Sequence, residues 1–178
     1  MHLRWAGPED TALLEEALLD TVAPEPGPPT MRTDGLRTDP TLARYLVDFS
    51  SPGHQGQQAP DPDGRIPHHR RPFGVVGELE GRPVGLAWTV FFTAEAPGPG
   101  FVSVEAPELR VWVRQEFRGR GFGRTLAESL ILAARSRGLP GLSAWVDAFD
   151  PAIGLYFDLG FRTVGAGGHS ETMLLTLR

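Results

Sequence analysis

The chain has 178 residues, 40% of them hydrophobic and 22% charged, the balance of one soluble globular domain. Its formal net charge of −5 argues against nucleic acid as the natural partner and favours a cationic or amine-bearing one. There is no Cys, Lys or Asn, which excludes disulfides, thiolate metal sites, cysteinyl intermediates, Schiff bases and a Lys-bearing phosphate loop.

Leu3 and Trp5 alternate with polar neighbours and predict a short first strand. The N-terminus has no apolar signal core, and Val84 to Phe92 is too short to cross a bilayer, so a soluble cytoplasmic protein is expected. Pro8-Glu9-Asp10 starts a helix, with Leu13, Leu14, Ala17, Leu18 and Val22 at helical spacing, and Pro24 to Pro29 ends it. Asp39-Pro40 predicts a second helix carrying Leu42, Tyr45, Leu46 and Phe49 on one side. Residues 50–71 read as a long loop, rich in Gly, Pro, Gln, Asp and His.

Phe73 to Leu79 and Pro83 to Phe92 form a hairpin about Glu80-Gly81-Arg82. Leu109 to Arg114 alternates cleanly as a strand and runs through Phe117 into Arg118-Gly119-Arg120-Gly121-Phe122-Gly123. The next helix shows Phe122, Leu126, Leu130 and Ala134 on one face and stops at Gly138 and Pro140. Leu142 to Phe149 is a strand, Asp150-Pro151 opens a short helix closed by Gly160, and Phe161 to Val164 and Met173 to Leu177 are two last strands.

The strand, glycine turn and helix around Gly121 carry chemistry. The first amides of a helix lack internal partners and sit at the positive end of its dipole. Glycines let an anion approach those amides closely, and Arg118, Arg120 and Arg124 add charge suited to phosphate oxygens. The dinucleotide fingerprint fails, because the position three after Gly121 is Arg124.

The spacing Arg-x-x-Gly-x-Gly from Arg118 to Gly123, after Pro107 to Val113, resembles the phosphate-binding segment of the GNAT superfamily of N-acetyltransferases. Ala152 to Phe161 resembles that family's Ala-x-x-Leu-Tyr-x-x-x-Gly-Phe segment. The resemblance is specific over Glu108 to Phe161 and compatible in outline over residues 1–95. It implies an α/β fold, a GNAT-like single domain over 1–178, with a mixed, mostly antiparallel twisted sheet of six or seven strands and about four helices.

The resemblance further implies transfer of acetyl from acetyl-CoA directly to a primary amine of a small molecule or peptide, through a ternary complex and without metal. On it, Arg118, Gly119, Arg120, Gly121, Phe122, Gly123 and Arg124 hold the CoA diphosphate. Val111, Trp112 and Val113 bind along the strand, where a backbone N–H meets the thioester oxygen. Tyr156 is the general acid, since a phenol with pKa about 10 is protonated at neutral pH. Glu108 is the base, with Glu105 beside it as a lesser candidate and water as another route.

One position departs from the family pattern. Seven residues before Tyr156 the family often has Asn; here stands Phe149, and neighbouring Asp150 reads as a helix cap. Relatives are often dimers, so a homodimer is expected, with neither nucleic acid nor membrane as partner. His54, His68, His69, Arg70 and Arg71 are candidates for an acceptor lid, and Trp88, Trp112 and Trp145 for core or cleft wall. A non-catalytic acyl-CoA-binding sensor on the same fold is the alternative.

Overall fold

The computed structural model describes residues 1–22, 33–49 and 70–177. Seven strands form one sheet in the order β1-β2-β3-β4-β5-β7-β6. They are β1 (His2–Trp5), β2 (Gly74–Leu79), β3 (Arg82–Val90), β4 (Glu108–Val113), β5 (Gly141–Asp147), β6 (Arg162–Gly167) and β7 (Ser170–Thr176). Every neighbouring pair is antiparallel except β4 with β5. Among the described residues four α-helices accompany it: α1 (Thr11–Val22), α2 (Thr33–Thr38), α3 (Phe122–Ser136) and α4 (Ile153–Asp158).

Strand alternation divides the buried side chains between two faces. On one face Leu13, Leu14, Ala17 and Leu18 of α1, with Leu36 of α2, pack on Val76, Leu86, Trp88 and Trp112. On the other, Leu126, Leu130 and Ala134 of α3 and Tyr156 of α4 pack on Val75, Ala87, Leu109, Val113 and Leu142. Leu126 and Leu130 are fully buried, a contribution of about 1.5–3 kcal/mol each. The apolar spacing of the α1 and α3 sequences gives each helix one face to bury against the sheet.

The helix expected from Asp39-Pro40 is corrected by the structure. The α-helix lies earlier, at Thr33–Thr38, and only a single 3-10 turn, Ala43–Tyr45, follows. Asp39 does cap: its Oδ1 accepts the N–H groups of Thr41 (2.7 Å) and Leu42 (3.2 Å). The turn then ends because Leu46 takes ψ 88°, which leaves the helical region. Tyr45 is nonetheless buried on the face that the spacing assigned it. The loop expected over residues 50–71, with His54, His68 and His69, lies outside the described residues except for Arg70 and Arg71.

Candidate active site

The parallel junction organises the site. β4 pairs with β3 from Glu108 to Val113, and β5 pairs with β7 from Gly141 to Asp147. Toward each other the two strands register only at Glu108 and Ser143, fastened by the Ser143 N–H to the Pro107 carbonyl at 2.9 Å. Beyond that point they diverge and open a gap. The Arg114 N–H donates to Val84 O of β3 at 2.9 Å. Because strand N–H groups alternate in direction, those of Val111 and Val113 face the gap instead. That of Trp112 turns to β3, and its indole Nε1 donates to Asp20 of α1 at 2.6 Å.

The gap continues into the glycine turn. Gly119 (φ +73°) and Gly121 (φ +80°) adopt left-handed backbone, and no atom lies within 4 Å of where a Cβ would sit on either. Gly121 caps α3 without a side-chain hydrogen bond, and the first helical bond there is Thr125 N–H to Gly121 O. The N–H groups of Phe122, Gly123 and Arg124 therefore have no helical acceptor. A Cβ on Gly123 would lie 3.8–3.9 Å from Val113, Leu155 and Val111, so this glycine forms the floor between turn, β4 and α4. An open turn with uncapped amides, joined to a strand gap, fits a diphosphate with an extended arm.

The three arginines of the turn differ in their engagements. Arg118 donates through Nε to Val113 O at 2.8 Å and pairs with Asp20, which ties the turn to β4 and α1. Arg124 pairs with Asp158 of α4 at 2.5 Å. Arg120 lies 5.5 Å over the Phe117 ring and has no carboxylate partner among the described residues. It is the cation most available to a phosphate.

Tyr156 of α4 is buried in the core cluster on the α3 face, edge-on to Phe161 at 5.4 Å between ring centres. Burial pushes its phenol up to about 12; the charge of Arg110 opposes this, while Glu108 and Asp150 add to it. Its hydroxyl makes no hydrogen bond among the described residues, so the proton is uncommitted. Phe149, at the position of the missing Asn, is 78% exposed. Asp150 does not cap α4, whose N-cap is Ala152 without a side-chain hydrogen bond; its Oδ1 accepts the Ala152 N–H at 2.7 Å in the turn before the helix.

Glu108 is not a solvated strand-entry residue; it is completely buried. Its Oε2 accepts the Gly100 N–H at 3.1 Å and the Tyr45 hydroxyl at 3.4 Å, and Oε1 lies 3.4 Å from Arg110 Nη1. Desolvation raises its carboxyl above the usual range, against Arg110 and the Gly100 amide, which favour the charged form. Arg110 also lies 5.1 Å over the Tyr45 ring. Neither Tyr45 nor Arg110 stood out in the sequence. Tyr45 matched a core position by spacing, and Arg110 looked like any polar residue of an alternating strand.

Among the described residues no cluster of His, Asp and Glu could hold a metal, and no helix is long and apolar enough to cross a membrane.

The fold is the one seen in solved acetyltransferases. The putative acetyltransferase yncA of Salmonella typhimurium, solved with its cofactor acetyl-CoA, matches with a TM-score of 0.65 at 23% identity, over 100% of this chain and 94% of that one. The ribosomal-protein-alanine N-acetyltransferase of Brucella melitensis matches with 0.61 at 25%, over 98% and 97%. The PaiA N-acetyltransferase of Thermoplasma acidophilum, in complex with coenzyme A, matches with 0.60 at 12%, over 99% of each. Among curated proteins none matches. The acetyltransferase (GNAT) family model matches residues 41–161, and the chain belongs to that family.

Proposed function

We propose that the chain, as one domain over residues 1–178, transfers acetyl from acetyl-CoA directly to a primary amine of a small molecule or peptide, in a ternary complex without an acyl-enzyme. The observation that carries this reading is the divergence of β4 from β5 beyond Glu108 and Ser143, with Tyr156 on one side and Glu108 on the other. The bound donor supplies an activated thioester. The Phe122, Gly123 and Arg124 amides, with Arg120, hold its diphosphate at the mouth of the gap. Val111 and Val113 offer N–H groups to the carbonyl oxygen, where one such donor is worth about 3 kcal/mol in the transition state.

Tyr156 Oη gives its proton to the departing sulfur, and a phenol held near 12 keeps that proton until it is needed. Glu108, whose burial raises its basicity, takes the proton of the amine through an intervening water, because its carboxylate has no exposed surface. The test is release of free thiol from acetyl-CoA with a panel of primary amines, paired with a mass measurement of product and protein. Acetylated amine with unmodified protein supports direct transfer. A covalent acetyl-protein accumulating in a single turnover refutes it, and CoA binding with no turnover across the panel favours the sensor.

A further inference from the structure

We propose that the acceptor amine carries a carboxylate, received by Arg110 beside Glu108 together with Arg44 and Arg70, which hold the loop over it. The inference rests on the acetyl-transfer reading and names the substrate class of the same site. Glu108 and Arg110, alternate residues of β4, point to the face covered by α1 and α2, as Tyr45 shows by touching both. On β5, Trp145 shares that face with Ser143. It stands at the level of Arg110 across the gap, 39% exposed. The amine enters between these two lips.

The loop from Phe91 to Pro107, which joins β3 to β4, closes over Glu108 through the Gly100 amide. Two distant arginines hold it: Arg44 Nη1 donates to Pro97 O at 3.1 Å, and Arg70 Nη2 to Val104 O at 3.5 Å. Their remaining donors are the telling feature. The Nε atoms of Arg44, Arg70 and neighbouring Arg71 are buried and have no hydrogen-bond partner. Among the described residues no carboxylate pairs with any of the three.

Buried donors without acceptors are costly, and a planar guanidinium fork matches a carboxylate better than any other common group. The nearby carboxylates do not meet this demand. Glu108 is already shared among Arg110, Tyr45 and Gly100, and Glu105 lies one residue beyond Val104. A chain with a net charge of −5 thus directs Arg44 and Arg70 onto the loop that closes over Glu108 and its partner Arg110. A carboxylate a few bonds from the reacting nitrogen, as in an α-amino acid, lies where those groups can bind it while the amine faces the gap.

The experiment pairs α-amino acids with the amines that lack their carboxylates, such as phenylalanine with phenethylamine and leucine with isoamylamine. It measures kcat/KM for acetyl transfer by the full chain. The acid member is expected to exceed its partner by about 10- to 100-fold, the loss that follows removal of a charged hydrogen-bond partner. R44Q and R70Q should each lower kcat/KM for the acid member about tenfold more than for the amine. Equal values for both members in the wild type overturn the inference and leave acetyl transfer standing, with the arginines serving only the loop. Turnover of neither member, nor of any other amine, takes both readings down together. The wild-type ratio decides the matter even if a variant fails to fold.

Discussion

Replacing Tyr156 by Phe removes one hydroxyl and keeps the ring that packs edge-on to Phe161 at 5.4 Å between centres. Because that hydroxyl makes no hydrogen bond among the described residues, its loss should cost under about 1 kcal/mol of stability. The catalytic cost is of another size. Positioned acids contribute roughly 10²–10⁴-fold, so kcat for thiol release should fall by about 10²-fold or more. CoA affinity, which the proposed function assigns largely to the Phe122–Arg124 amides, should stay within about twofold, since no charged contact is lost there. The phenol is raised to about 12, so its proton-donating form persists through neutral and mildly alkaline pH. Wild-type activity should therefore show no alkaline loss attributable to Tyr156 below that value. The assay is steady-state thiol release with a competent amine, alongside CoA titration by calorimetry. A variant that binds CoA normally and turns over at the wild-type rate would refute the assignment of Tyr156 as the acid.

Two further perturbations follow from the same geometry. Glu108→Gln should lower kcat by about 10²-fold and abolish an acid limb of kcat/KM lying above the ordinary carboxylate range; an unchanged pH profile would remove Glu108 as the base. Gly121→Ala places a Cβ in open space at φ +80°, so strain of about 1–2 kcal/mol should show in thermal melts. The same variant should weaken CoA binding by about tenfold, as an anion can no longer reach the amides closely; retained affinity would argue that the turn is not the phosphate seat.

Asp10→Asn tests a structural pair. Burial works against the Asp10 carboxylate, yet the Arg4 fork (2.7 and 2.8 Å) and the Gly7 N–H hold its pKa below the usual value. Its contribution is therefore present above the unfolded carboxyl pKa of about 3.9 and lost as pH falls through the lower folded value. At neutral pH the variant should lose about 3 kcal/mol, a fall in Tm of about 6–12 °C, and the difference should vanish in strong acid.

Much of the fold was legible because its elements carry local signatures. Leu126, Leu130 and Ala134 recur at helical spacing and are fully buried together, and the alternation from Leu109 to Val113 became β4. The turn from Arg118 to Gly123 announced itself through glycines whose positive φ few other residues tolerate. Where a local signal was shared between two structures, the reading slipped. An Asp cap before Pro40 suits one turn as well as a whole helix, and only the exit of the chain at Leu46 decided between them.

The amino-acid order by itself determined the strand–glycine–helix cradle, the short helix bearing Tyr156 and the family to which both belong, since each is written in neighbouring residues. The tertiary structure alone decided that Glu108 is buried rather than solvated, that Tyr45 and Arg110 close around it, and that Arg44 and Arg70 reach the loop joining β3 to β4. The physical reason is that a carboxyl group's basicity and an arginine's unmet donors depend on how far water is excluded. That exclusion is created by segments up to 63 positions apart in the chain, as with Tyr45 and Glu108.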